Sequence, residues 1–249
     1  MALFEIIAAT VFVSLLSLVG VSLFFLRKGQ LDAAMFYLIS FAAGTMLGAA
    51  FFDIIPETIG GIGAPPALEF VFFGIVGTFV MEKIIHWHHH HHMDHSHEHK
   101  HPLGMLSLLG DAFHNFFDGV AIAAAFLVNA PLGITTTIAV ACHEIPHELG
   151  DFSLLLYSGY RKKEAIYFNL LTALTAIAGG VLFYFFSGLV ANFESYALAF
   201  AAGNFIYIAS ADLMPELHKE KRTRESALQL AAMLAGAAAI WLVARTLGG

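Results

Sequence analysis

Two short strings decide how this chain folds: HNFFD at residues 114–118 and HEIPHE at residues 143–148. Each lies inside a long apolar segment without a nearby Lys or Arg. In each, a His is followed four residues later by a second side chain that can bind a metal, and such residues share one face of a helix. Burying an acid at the centre of a membrane helix costs about 2.5–3.5 kcal/mol. A chain that does this twice is expected to bind a cation there.

The composition is that of a membrane protein. Hydrophobic residues make up 58% of the 249 residues and charged residues only 12%, whereas soluble domains have about 25% charged residues. Apolar runs of the length that one bilayer crossing needs recur along the chain. The sequence therefore predicts an all-α, polytopic membrane protein with a single transmembrane domain over residues 1–249. No basic groove is visible, so we expect lipid rather than nucleic acid around it, and the single Cys142 excludes an intrachain disulfide.

Eight transmembrane helices are predicted, near residues 3–26, 33–56, 67–87, 103–128, 132–158, 164–190, 196–216 and 226–246. The connections are short except for the Gly- and Pro-rich residues 57–67 and for residues 86–101, which hold ten of the fourteen His. Eleven of the twelve Lys and Arg fall on odd-numbered connections, and such a bias marks the cytoplasmic side. We therefore expect both termini outside the cell (inner or plasma) membrane, and residues 86–101 to form a His-rich cytoplasmic loop.

An internal repeat is visible in the sequence. Residues 41–57 and 200–216 are 159 positions apart and identical at eight of seventeen positions, including the pattern D-x-x-P-E. The first copy lies in the second span and the other in the seventh, so the copies are predicted to run in opposite directions. Inverted repeats of this kind build many transporters. Spans 1–3 would mirror spans 6–8 around the central spans 4 and 5.

Spans 4 and 5 carry the candidate ligands of a metal. His114, Asp118, His143 and His147 are predicted as one four-ligand set, while Asn115, Glu144 and Glu148 would build a second site alongside. Imidazole and carboxylate ligands suit Zn²⁺, and Fe²⁺, Mn²⁺, Co²⁺ or Cd²⁺ also accept them. Alone, Asp111 or Asp151 can equally be read as a hydrogen-bond partner of a neighbouring helix.

Three prolines are expected to disturb the spans. A proline inside a helix removes one backbone hydrogen bond and bends or breaks the helix. Pro146 would free the carbonyl of Cys142 in this way. Pro56 and Pro215 would do the same in the two repeat copies. Broken helices next to polar residues are a common way to build a transport site at mid-membrane.

The function has several interpretations at this point. A transporter is the leading one. The segment 143–147 also fits H-E-x-x-H, the zinc helix of metalloproteases in which the Glu is the general base, so an intramembrane zinc metalloprotease is the alternative. The His-rich tract allows a third, a metal sensor, because such tracts bind transition metals weakly; it can equally be a flexible linker. The oligomeric state stays open, a homodimer included.

The strings HNFFDG at 114–119 and HEIPHELGD at 143–151 resemble the ZIP (Zrt-, Irt-like protein) family of divalent-metal transporters, in its branch with an HE-x-P-HE fifth helix. The resemblance covers nearly the whole chain. It implies a transporter, not an enzyme, that carries zinc towards the cytoplasm by alternating access, with a binuclear-type centre between spans 4 and 5. His114, Asp118, His143 and His147 would be the primary ligands, with Asn115 and Glu144 in the second site. Where relatives often have D-x-x-x-H-x-x-P-E, this chain has Ala49 and Asp53.

Overall fold

The structure, a computed structural model, describes residues 1–19, 28–90 and 102–247, and this part of the chain is helical, without a strand. The helices are α1 (Ala2–Leu16), α2 (Lys28–Ala49), α3 (Ile55–Ile62), α4 (Ala64–His90), α5 (Pro102–Val128), α6 (Ala130–Tyr157), α7 (Lys162–Ala173), α8 (Thr175–Phe186), α9 (Phe193–Ile208), α10 (Met214–Leu217) and α11 (Thr223–Leu247). Two π-helical segments, Ala50–Ile54 and Ala209–Leu213, join α2 to α3 and α9 to α10. The predicted all-α class is confirmed.

Seven segments of the described chain are long and apolar enough to cross a membrane: Ala2–Val19, Met35–Ile62, Ala64–Ile84, Gly104–Val128, Lys162–Leu189, Phe193–Leu217 and Thr223–Leu247. The polytopic character is thereby confirmed. Helix α6 is not among them although it has 28 residues, because its polar residues, which include threonines, histidines and acids, lower its mean hydropathy. The count of eight spans stays a prediction. The predicted end of the first span and most of the His-rich loop, residues 91–101, lie outside the described residues.

The Gly- and Pro-rich residues 57–67 are not the long connection that the sequence predicts. Helix α3 continues to Ile62 and α4 begins at Ala64, so Gly63 alone separates them. Gly63 has φ +85°, a left-handed conformation that glycine adopts without strain. Pro65 and Pro66 fall in the first turn of α4, where backbone N–H groups have no partner within the helix and proline is tolerated.

The prolines act differently from one another. Helix α6 runs unbroken through Pro146, so the predicted break does not occur. Just before Pro56 and Pro215, by contrast, the helix widens into the π-helical segments. The Ile55 N–H donates to the Ala50 carbonyl, and the Met214 N–H donates to the Ala209 carbonyl, five residues back in each case. A π turn accommodates an extra residue and locally redirects the helix. The two π segments are 159 residues apart, as the repeat requires.

Glycines of the repeat lie where neighbouring helices approach most closely. A Cβ atom on Gly44 of α2 would lie 1.9 Å from the carbonyl oxygen of Met233 on α11. A Cβ atom on Gly203, its repeat mate on α9, would lie 2.1 Å from the carbonyl oxygen of Val71 on α4. Only a residue without a side chain fits at such a crossing, as is common between membrane helices.

At the same two crossings, the opposite helix also contributes a glycine. A Cβ atom on Gly236 of α11 would lie 2.2 Å from the carbonyl oxygen of Phe41, and one on Gly74 of α4 would lie 2.1 Å from that of Phe200. Phe41 and Phe200 are themselves repeat mates. The pair α2–α11 is therefore built like the pair α9–α4. This is expected if the second and third spans correspond to the seventh and eighth spans in the repeat.

These crossings predict how two glycine substitutions affect stability. Gly44→Ala or Gly203→Ala places a methyl group against a backbone carbonyl, and overpacking of this kind typically costs about 1–3 kcal/mol. We expect the melting temperature of the detergent-solubilised protein to fall by about 2–10 °C. Gly60→Ala is the matched control, because a Cβ atom there has no neighbour within 4 Å. Equal melting temperatures for all three variants would contradict the close approach.

Candidate metal centre

The connection between α5 and α6 brings the two strings together. It consists of Asn129 alone, whose extended backbone ends one helix and whose side-chain oxygen accepts a 2.8 Å hydrogen bond from the Leu132 N–H, capping the next. Pro131 lies in the first turn of α6, where a backbone N–H would have no partner within the helix, so its missing N–H costs no hydrogen bond. So short a connection makes α5 and α6 neighbours, and they pack against each other along the molecule.

Four side chains from these helices converge on one point. The Nε2 atoms of His114 and His143 are 3.0 Å apart. The nearest oxygen of Asp118 lies 3.5 Å from the first of these atoms and 3.1 Å from the second. The Oε1 atom of Glu144 lies 3.2 Å and 3.4 Å from the same two nitrogens. The candidate metal centre, as we call these four residues, is therefore a cluster of two nitrogens and two oxygens.

The hydrogen bonds around the centre leave acceptors pointing inward. The Nδ1–H of His143 donates to the Ala139 carbonyl, 3.2 Å away, which leaves Nε2 of the neutral ring with a lone pair facing the centre. All four carboxylate oxygens of Asp118 and Glu144 are buried and have no hydrogen-bond partner. Acceptors held this close repel one another unless a cation or a proton lies among them, and buried acceptors without partners are rare.

The spacing fits a tetrahedral metal ion. With metal–ligand bonds of about 2.0–2.1 Å, the edges of a tetrahedron are about 3.3–3.4 Å long. The five distances given above, 3.0 to 3.5 Å, bracket this value. All four ligand atoms lie within 4.8 Å of one another. Two neutral imidazoles and two ionised carboxylates together carry a double negative charge, which one divalent cation neutralises.

The predicted four-ligand set is only partly brought together, because His147 lies elsewhere. Its Nδ1 atom is 3.0 Å from Asp151 Oδ2 and 3.8 Å from Asp111 Oδ1. Its ring stacks on that of His114, with centroids 4.6 Å apart. Glu144, predicted for a second site, takes the fourth place in the candidate metal centre instead. His143 and His147 share one face of α6 but lie one turn apart, so their side chains can reach two different, neighbouring clusters.

The other predicted second-site residues bind to protein partners. Asn115 Nδ2 donates to Asp111 Oδ1 at 2.8 Å and to the Asp111 carbonyl at 3.1 Å. Glu148 accepts from the side chain of Asn169 on α7. Asp111 also accepts from the Thr172 hydroxyl. Helix α7 thus supports both acids, through Asn169 and Thr172, and no pattern in the sequence indicates this.

A cavity of about 330 Å³ leads to the centre from one end of the molecule. It lies between the first turns of α5, the last turns of α6, and the corresponding ends of α4 and α9. His114 and His147 line it, together with the acids Glu82, Asp111, Asp151 and Asp212. No Lys or Arg is among its lining residues in the described part of the chain. Through His114 this cavity borders the candidate metal centre, and its acidic lining favours cations.

The opposite end of the molecule is held by hydrogen bonds between helices. Asp53 in the first π segment accepts from the Thr135 hydroxyl of α6. Glu57 accepts from the side chain of Asn129, 3.1 Å away. A separate cavity of about 550 Å³ opens at this end and is lined by Asp53, Glu57 and Arg245, but it does not reach His114 or His143.

Comparison with known proteins agrees with this geometry. The family described as ZIP Zinc transporter matches residues 2–107 and 103–244. Similar proteins include the zinc transporter ZIP10 of Danio rerio (42% identical over 149 residues), the zinc transporter foi of Drosophila melanogaster (44% over 138 residues) and the zinc transporter SLC39A7 of Rattus norvegicus (41% over 148 residues).

These matches cover 57%, 55% and 57% of this chain and 18%, 19% and 32% of the respective relatives. The chain thus spans less than a third of the length of these curated relatives, whereas the family match extends over nearly all of it. The chain belongs to the ZIP zinc transporter family.

Proposed function

We propose that this protein carries a divalent transition metal, with zinc as the main substrate, across a cell membrane towards the cytoplasm. The ion binds between α5 and α6, at His114, Asp118, His143 and Glu144. The observation that carries the proposal is the set of buried acceptors at near-tetrahedral spacing. Within the apolar spans, two carboxylates without a Lys or Arg partner need a cation to neutralise them. The names of the related proteins support zinc as that cation.

The two cavities support the proposed direction. The acidic cavity, one of two that His114 lines, lies at the ends of α4, α5, α6 and α9 that face odd-numbered connections, where all but one of the Lys and Arg occur. By the positive-inside bias this end is cytoplasmic. At the outer end, Asp53 and Glu57 are bonded to the α5–α6 hairpin. These observations support an arrangement that is open inward and closed outward, which is one of the two states of alternating access.

The repeat supports the proposed mechanism. Transporters built from inverted repeats work by moving one group of helices against another around a fixed site. Here the two repeat units flank α5 and α6, which hold the ion. We infer that the outward-open state forms when the hydrogen bonds of Asp53 and Glu57 break and the inner cavity closes.

The protease alternative has less support. A zinc protease needs both His of H-E-x-x-H on one ion and the Glu free to act as a base. Here His143 and His147 point to different clusters, and Glu144 Oε1 lies 3.2 and 3.4 Å from the two Nε2 atoms, in a ligand position. The family is a transporter family rather than an enzyme class.

Removing one ligand should stop transport. In liposomes that contain a zinc-sensitive dye, we expect Glu144→Gln to lower the rate of zinc entry by at least about tenfold, because changes around a metal already cost 10- to 100-fold when they affect only the partners of its ligands. The control is Glu69→Gln, which makes the same chemical change at an exposed position of α4. Zinc entry at the wild-type rate in Glu144→Gln would rule out the proposed site.

The His-rich loop should be dispensable for transport itself. The candidate metal centre and both cavities are formed by helices, so deletion of residues 87–99 should leave zinc entry measurable in the same assay. Combining the deletion with Glu144→Gln should abolish the entry that remains. Complete loss of uptake in a well-folded deletion variant would show instead that the loop belongs to the pathway.

A further inference from the structure

We propose that Asp111, His147 and Asp151 form a second divalent-cation site, through which the ion leaves the candidate metal centre. One nitrogen and one oxygen from each acid lie within 4.8 Å of one another. The His147 Nδ1 atom is 3.0 Å from Asp151 Oδ2 and 3.8 Å from Asp111 Oδ1. These distances average about the 3.3–3.4 Å edge of a tetrahedral site.

Two of the ligand atoms lie close together without a well-aligned hydrogen bond between them. The Nδ1 atom of His147 and Oδ2 of Asp151 are buried, and neither has a hydrogen-bond partner despite their short separation. The other oxygen of Asp151 accepts a 2.5 Å hydrogen bond from the Ser107 hydroxyl. Asp111 is oriented by Asn115 and by a threonine of α7. Outer partners of this kind fix the ligands of metal sites.

Charge supports a separate ion at this place. The second site carries two carboxylates and one imidazole, so it has the same formal charge as the candidate metal centre. One divalent cation in the first site leaves the second uncompensated. No Lys or Arg lines the adjoining cavity in the described chain. With so many acids inside the apolar spans, a second cation lowers a cost that the first cannot remove.

The position of His147 links the two sites. Its ring lies against that of His114, with centroids 4.6 Å apart and planes 22° from parallel. All three residues of the second site line the inner cavity, and so does His114. A cation that leaves the first site through this cavity therefore passes the second site. This order rests on the proposed function and its direction, whereas the existence of the second site does not.

The test is a zinc map of the whole protein. Crystals of the full chain grown with zinc, with diffraction measured at the zinc absorption edge, should show two anomalous peaks. One is expected among the residues of the candidate metal centre. The other should lie about 2.0–2.2 Å from atoms of Asp111, His147 and Asp151. In Asp151→Asn the second peak should be lost and the first retained, and zinc entry into liposomes should be slowed about tenfold.

Asp212→Asn is the matched control, because it removes the same charge from the same cavity without touching the second site. It should keep both peaks. A map with the first peak only would overturn the second site and leave the proposed function intact. A second peak that persists in a double variant, Asp111→Asn with Asp151→Asn, would overturn the assigned ligands. The second peak without the first would keep this site and remove the proposed transport centre, and the absence of both would overturn both proposals.

Discussion

Carboxylates in the middle of apolar helices, without a basic residue beside them, are the constraint on which the rest of this protein depends. Such groups are expensive in a bilayer unless they are neutralised or solvated. Here Asp118 and Glu144 are completely buried, and the nearest side chains are imidazoles. The arrangement becomes favourable when a divalent cation is shared among them. If the proposed function holds, the transported ion also stabilises the core of the protein, and binding is linked to the integrity of the helix pair.

The helices around this pair pack closely against one another. In a membrane, helices gain little from hiding apolar surface from lipid, so close packing through small residues holds them together. Gly44 and Gly203 allow the backbones of two helix pairs to touch, in matching positions of the two repeat units. The contacts of α5 and α6 with the first π segment and α3 are of another kind, being hydrogen bonds made by the half-buried Asp53 and the exposed Glu57. Bonds of that sort can be exchanged for water, whereas the glycine crossings cannot.

Much of this architecture was predictable, for identifiable reasons. Apolar runs and spaced Lys and Arg indicate the spans, and i, i+4 pairs place the ligands on helix faces. The composition of residues 57–67 was misleading, because prolines in a first turn and one left-handed Gly63 continue the helices rather than separate them. The sequence also placed His147 with His143. Whether a histidine joins the first or the second of two clusters one turn apart depends on its rotamer and on its partners. The spacing of residues along the sequence does not contain that information.

The two widened turns have a historical consequence. Ala50–Ile54 and Ala209–Leu213 occupy the same register in the two halves and have the same five-residue hydrogen bond at their ends. A π turn is rare, and both of these turns precede a proline at the same distance. Duplication of one segment that already contained the turn and its proline would give the two copies this shared geometry.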